Sequence, residues 1–298
     1  MSIVLPTGSI LRADVGQVVS DWPGDSVDLA VIDPAYGLNK AAWDSVPDYH
    51  AALLLEVRRI LKPSGTAYIF GPPETIAQNW SAFPSPKRLL TWAVSNRVTP
   101  SAKTWQATTE SIVMLTKGKT PFFDHDAVRE PYGADFERHR GRTRPPTPGR
   151  FGDKASTYSD AAGALPRDVL RGPGLSGRIG AKESLGHPCQ KPLWLMERLI
   201  AASCPVSGIV ADLYAGVATA SVAAHRLGRQ WIAVENDAHW CDVARDRLLA
   251  AGATATILEP LGPQALADLI AWKVRAEQEL THLREAVAAL TARATGSI

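Results

Sequence analysis

The 298-residue sequence predicts an α/β fold, a doubly wound and mostly parallel sheet, and three observations point there. Apolar runs of strand length alternate with amphipathic helical stretches at both ends of the chain. Two of those runs end in a carboxylate, at Asp33 and at Asp212, and ligands of open α/β sheets bind where strands end. Between the two ends lies a stretch rich in Pro, Gly and Arg that has lost apolar periodicity.

Residues 27–32, VDLAVI, read as a buried strand that ends in Asp33-Pro34-Ala35-Tyr36. Residues 48–61 follow as a helix with Leu53, Leu54, Val57, Ile60 and Leu61 on one face. Lys62-Pro63-Ser64-Gly65 stops it, and residues 66–70 form the next strand. Residues 89–95 and 111–115 are two more strands before Lys117-Gly118-Lys119.

Character changes over residues 120–186. Arg138, Arg140, Arg142, Arg144, Arg150 and Lys154 face one acid in their window, Asp153. A solvated insertion fits that composition, and so does a loop-rich module whose guanidinium forks contact the phosphates and bases of DNA. The stretch is long for an idle connection. Order is expected again from His187: a helix over 192–203, a strand over 208–212, a helix over 219–227, a strand over 230–235 and a helix over 239–249. Residues 263–293 are Ala-rich and helical, with Leu266, Leu269, Ala276, Leu280, Leu283, Val287 and Leu290 in an a/d register. That stripe suits a helix folded on its own domain and is also long enough for a coiled-coil homodimer.

Composition narrows the function classes. A net charge of +2 gives no global field for nucleic acid, so such contacts need a local patch. Cys189, Cys204 and Cys241 are widely spaced and form no CxxC pair, which argues against a structural metal or disulfide framework and for a reducing cytoplasm. No stretch has the length of a membrane span, and the N-terminus lacks a secretory pattern.

Two constellations carry chemistry. Proline fixes φ and has no N–H, so the turn after Asp33 is stiff and its carbonyls can face a ligand. A carboxylate oxygen beside a backbone carbonyl offers two acceptors to an exocyclic NH2, and Tyr36 offers a flat face to a base; an ordinary Asp-Pro turn is the plain alternative. The second constellation is Asp212-Leu213-Tyr214-Ala215-Gly216-Val217-Ala218-Thr219. Its small residues let backbone approach a ligand ahead of a helix N-terminus. Glu235 ends the next strand about 20 residues on, where an acid can take ribose hydroxyls. An adenosine-containing cofactor is the expectation.

In this order the two constellations resemble the DNA amino-methyltransferases of the permuted β group. Those carry a D/S-P-P-Y tetrad first, a target-recognition region in the middle and the S-adenosylmethionine site last. The runs LKPSGTAYIF (61–70), TKGK (116–119), HPCQKPL (187–193) and LGRQWIAVE (227–235) resemble further segments of that family. The resemblance covers about residues 3–250 apart from the middle module. It implies a Rossmann-like, circularly permuted domain: a catalytic half over 1–119, a target-recognition region over 120–186, a cofactor half over 187–258 and a helical extension over 259–298.

The resemblance also implies roles. Asp33, Pro34 and Tyr36 would be catalytic, with a base flipped from double-stranded DNA stacked on Tyr36. Asp14, Asp33, Gln190, Lys191, Asp212, Tyr214, Gly216, Ala218, Thr219 and Glu235 would bind S-adenosyl-L-methionine. Aspartate in the first tetrad position favours adenine N6 over cytosine N4. Ala35, Leu213-Tyr214, Ala218 and Cys189 depart from the family pattern. Those departures leave open a catalytically silent DNA-binding relative. A nicotinamide oxidoreductase would want a fuller glycine motif and leaves the tetrad unexplained.

Overall fold

The computed structural model describes residues 5–34, 51–98, 103–133, 138, 141–144, 156–157, 163–180, 182–259, 278–279 and 281–284. Residues Met1–Leu258 make one compact unit and Glu259–Ile298 a second. The a/d stripe of the second unit, and any coiled coil built on it, lies almost wholly outside the described residues.

Nine strands join in one sheet among the described residues: β1 Ser9–Arg12, β2 Val27–Ile32, β3 Leu61–Gly71, β4 Lys87–Val94, β5 Thr109–Thr116, β6 Val169–Gly172, β7 Ile209–Asp212, β8 Gln230–Glu235 and β9 Thr256–Leu258. Their spatial order is β9-β1-β8-β7-β2-β3-β5-β4-β6. Every neighbouring pair is parallel except those made by β5, which runs antiparallel to both β3 and β4. The helices of five residues or more among the described residues are α1 Val15–Val19, α2 Ala51–Ile60, α3 Pro73–Gln78, α4 Leu193–Ser203, α5 Thr219–Arg226 and α6 Ala238–Ala250. The doubly wound, mostly parallel α/β sheet read from the sequence is therefore present.

Both faces of the sheet are covered. Leu29, Val31, Tyr68 and Phe70 pack with Leu195, Leu199 and Val222 of α4 and α5. Ala30, Ile32 and Ile69 pack with Leu54, Val57 and Ile60 of α2 on the other face. Val27 joins this second group although its parity matches Leu29, because the β2–β3 register shifts between Val27 and Leu29. Asp28 sits at that irregularity and is buried. It accepts from Lys62 Nζ at 2.7 Å and from the Ile209 amide at 2.8 Å, so a polar residue inside an apolar run fastens β2 to both neighbours.

Two corrections concern boundaries. The helix expected over 48–61 ends at Ile60, and Leu61 already pairs with Val27 in β3; residues 48–50 lie outside the described set. The stop signal Lys62-Pro63-Ser64-Gly65 is a bulge inside β3, since Leu29 next pairs with Thr66. Its tightness explains the glycine: a Cβ on Gly65 would lie 3.0 Å from the Lys62 backbone and 3.1 Å from the Val27 carbonyl.

Order also returns before His187. Strand β6 extends the sheet beyond β4, Arg198 of α4 donates to the Val128 carbonyl at 2.9 Å, and the Asp124 amide donates to Ala202 at 2.8 Å. An edge strand of which Leu170 alone is buried shows no alternation, so its sequence gives no signal. The short elements β1, α1, α3 and β9 escape for the same reason of length. No helix among the described residues is long and apolar enough to cross a membrane.

The topology places the site. Strands β2 and β7 are neighbours, but β2 leads through α2 to β3 on one side, while β7 leads through α5 to β8 on the other. The loops leaving their carboxyl ends therefore diverge and open a crevice.

Gly118, next to the end of β5, tests how tightly this frame is built. A Cβ there would meet the Pro63 carbonyl oxygen at 2.5 Å. Gly118→Ala is expected to cost about 1–3 kcal/mol, read as a lower urea midpoint with an unchanged slope.

Candidate active site

Asp33 follows β2 at the crevice, its side chain only 13% exposed. Lys191 reaches it from the turn before α4, with Nζ 2.7 Å from Oδ1 and 2.6 Å from Oδ2. That turn is held by its own residues. Gln190 accepts from the Leu185 amide at 2.8 Å and donates to the Glu183 carbonyl at 2.9 Å, while Glu183 caps α4 by accepting from the Leu193 amide at 2.7 Å. The Lys191 ammonium lies 5.3 Å from the Phe70 ring centre and 3.8 Å from Glu110 Oε2. Burial works against its charge, but Asp33 and Glu110 outweigh that and hold its pKa above the usual lysine value. Glu110 in turn accepts from Arg97.

Asp212 ends β7 on the other side of the crevice and is 4% exposed. Its Oδ2 accepts from Ser221 Oγ at 3.0 Å and from the Ser221 amide at 3.1 Å. Burial drives its pKa from 3.8 up to about 7 against those bonds, with Asp33 and Glu235 adding repulsion. The following turn carries two left-handed residues, Gly216 at φ 50° and Ala218 at φ 56°. A Cβ on Gly216 would lie 3.1 Å from His187 Nε2, so the glycine serves both conformation and space. Ala218 accepts the left-handed backbone that the sequence left in question. Its methyl is fully buried in the core cluster shared with α4 and α5.

Glu235 ends β8 and fixes this turn from below. Oε2 accepts from the Gly216 amide at 2.7 Å, and Oε1 accepts from the Asn236 and Asp237 amides at 2.9 Å. Burial still raises its pKa despite those donors. His187 packs edge-on to Trp240 with ring centres 4.7 Å apart. Its pKa is lowered to about 4 by burial and then by Lys191, so it is neutral near pH 7. Asp33, Asp212 and Glu235 thus close three adjacent strand ends, a row of acids in which Lys191 compensates the first.

The other expected residues divide. Asp14 stands just past β1, whose Arg12 pairs with Glu235, and its Oδ1 caps α1 through the Gly16 amide at 2.9 Å. Tyr214 is half-buried against the α2-side core. The Thr219 hydroxyl accepts from Arg247 at 2.8 Å and so ties α5 to α6. Pro34 is buried at the crevice, while Tyr36 and Ala35 lie outside the described residues. Arg138 and Arg142 are exposed, Arg144 belongs to a two-residue ladder with Ser156–Thr157, and Arg140 and Arg150 lie outside. Sequence reasoning missed Glu110 and Arg97. The available signal was an acid at the edge of the apolar run SIVML. A cavity of about 350 Å³ opens beside them, lined among others by Trp92, Val94, Ser176 and Lys191.

The chain is similar to several known proteins. A family model described as DNA methylase matches residues 27–246. The type II methyltransferase M1.MboII of Moraxella bovis is 28% identical over 74% of this chain and 88% of its own length. The DNA adenine methyltransferase YhdJ of Escherichia coli K12 is 28% identical over 80% of this chain and 82% of its own. Among solved structures, the cytosine-N4-specific PvuII DNA methyltransferase superposes with a TM-score of 0.57 at 15% identity, covering 80% of this chain and 86% of its own. A putative DNA modification methylase of Thermus thermophilus, complexed with S-adenosyl-L-methionine, gives 0.54 at 20% identity over 84% and 99%.

The raised Asp212 pKa gives a stability signature. Between pH 4 and 7 the folded chain binds a proton at Asp212 that the unfolded chain does not, so stability from this group is lost as pH rises through 7. Asp212→Asn removes that loss. Its stability relative to the wild type is expected to improve by about 2–3 kcal/mol from pH 5 to pH 8 and then level off, measured by urea unfolding at each pH.

Proposed function

The chain belongs to the DNA methylase family, and from that membership we propose that it moves a methyl group from S-adenosyl-L-methionine to an exocyclic amino group of a base flipped out of double-stranded DNA, with adenine N6 as the leading target. The observation that carries the proposal is the Asp33 carboxylate fixed at the crevice beside the Asp212–Glu235 turn. Tetrad half before cofactor half in the chain supports a circularly permuted arrangement.

The cofactor turn fits the proposed group. Glu235 retains acceptor capacity for ribose hydroxyls beyond its three backbone bonds, and Gly216 keeps the turn open where a Cβ would press on His187. The acids Asp33, Asp212 and Glu235 favour a ligand with positive charge. When bound, S-adenosyl-L-methionine supplies an electrophilic methyl on a sulfonium.

The chain's own groups do the rest. Asp33 and the Pro34 carbonyl accept hydrogen bonds from the amino group, which turns the nitrogen lone pair out of the ring and toward the methyl. Tyr36 offers the stacking face for the extruded base. The step is an in-line displacement promoted by positioning and electrostatics, in which the N–C bond would form as the S–C bond breaks, a neutral thioether would leave and the surplus amino proton would pass to water, without a covalent enzyme intermediate. Adenine is supported by aspartate in the first tetrad position and by the name of the Escherichia coli relative, while the PvuII neighbour keeps cytosine N4 as the alternative. The inward-facing Ala218 methyl speaks against reading that departure as a blocked cofactor site.

The test is expression of the wild type and Asp33→Ala in cells lacking DNA methylation, followed by mass spectrometry of the DNA nucleosides. N6-methyladenine is expected from the wild type, with a fall of about 100-fold or more in the variant. N4-methylcytosine instead would move the target to cytosine. Neither base, from a protein that binds S-adenosyl-L-methionine in calorimetry, would favour the silent relative.

A further inference from the structure

Lys191 joins groups from three strands. Asp33 follows β2, Phe70 lies on β3 and Glu110 on β5, and these are consecutive in the sheet. The ammonium crosses above the Phe70 ring from one carboxylate to the other. It donates to both oxygens of Asp33 and, at 3.4 Å, toward the Cys189 carbonyl. An ammonium has three donors, and two of these contacts fall on the one carboxylate. Beyond Glu110 stands Arg97, and the preceding Asn96 clamps the segment after β6 through Gly174 and Ser176 at 2.7–3.0 Å. The four side chains alternate in sign, Arg97, Glu110, Lys191, Asp33, and the middle two are nearly buried at 15% and 6% exposure.

We infer that Lys191 is a positioning residue for Asp33, locking the carboxylate as a fixed acceptor through the relay Arg97–Glu110–Lys191–Asp33, rather than a ligand of the cofactor. The inference rests on the methyl-transfer reading above. A carboxylate has about four lone-pair sites. Lys191 takes one on each oxygen, which stops rotation of the group and fixes the direction in which it accepts. Such fixing matters because a misplacement of about 1 Å can cost a factor of 100 in rate. The compensating charge also keeps Asp33 from facing Glu110 and Asp212 unneutralised; Cys189 and His187 are further titratable neighbours of Lys191 among the described residues.

The experiment compares wild type, Lys191→Met, Lys191→Arg and Glu110→Gln, with folding checked by thermal melts. Cofactor affinity is read by calorimetry, and single-turnover methyl transfer to DNA is followed at saturating cofactor across pH. Lys191→Met is expected to lose about 100-fold in the transfer rate, with cofactor affinity within threefold and the acid limb of the pH profile moved upward. Lys191→Arg should recover about tenfold of that loss, and Glu110→Gln should lose about tenfold while keeping Lys191. If Lys191→Met does not fold, the last two variants decide between the outcomes. Weakened cofactor binding with an unchanged saturated rate overturns the inference and makes Lys191 a cofactor ligand. An unchanged rate and acid limb in Glu110→Gln overturns the relay. A wild type that methylates no DNA overturns the reaction reading and this role with it.

Discussion

Carboxylates crowded at the carboxyl edge of a parallel sheet must be compensated where they stand, because burial removes the water that would otherwise solvate them. Asp33, Asp212 and Glu235 close three adjacent strands, and each is met differently. Asp33 has the Lys191 ammonium, Glu235 has three backbone amides, and Asp212 has both donors of Ser221 yet remains at about 7. The least compensated acid lies at the centre of the row, between the tetrad strand and the ribose-type acid. A bound cation would complete that balance, which ties ligand binding to the same constraint that shapes the apo edge.

Compensation from backbone amides requires unusual backbone. The Gly216 amide reaches Glu235 because the turn after β7 enters the left-handed region, and it does so again at Ala218 as α5 begins. A non-glycine residue in that region costs on the order of 1–2 kcal/mol. Here the cost is offset by burial of the Ala218 methyl among Leu195, Leu199 and Val222. Core packing and site geometry therefore share one residue. The same economy of parts appears at Thr219 and Gln190, whose polar groups fasten the elements that carry the site.

Much of this was legible from residues alone, and the limits have physical causes. Asp33, Asp212 and Glu235 stand out because each ends an apolar run, and a parallel strand delivers its last residue to the ligand edge. Helices α4, α5 and α6 follow from periodicity over two turns or more. Glu110 also borders an apolar run, but a sequence does not give strand direction: β5 is antiparallel, so it brings its beginning to that edge. The bulge at Lys62–Gly65 reads as a turn since Pro, Ser and Gly serve both, and only pairing with Val27 separates them. Strand β6 buries too little to leave a pattern. The sequence groups Lys191 and Thr219 with the expected cofactor residues, but the directions of their side chains depend on partners far away in the chain.

The one reversed strand has a wider consequence. With β5 parallel, Glu110 would sit at the opposite edge and Lys191 would face Asp33 without a second carboxylate to hold its charge. The reversal also pairs β4 and β5 antiparallel, which puts Asn96 and Arg97, just past the end of β4, at the same edge as Glu110 and Lys191. Asn96 binds the chain after β6, so the segment downstream of the arginine-rich stretch is linked to Asp33 through Asn96, Arg97, Glu110 and Lys191. A local change in strand direction thereby connects the region expected to meet DNA with the carboxylate expected to meet the base. The link combines hydrogen bonds, one chain step from Asn96 to Arg97 and a 3.8 Å ion pair, and that ion pair, the Lys191–Glu110 contact, lies where substitution can break it without touching either end.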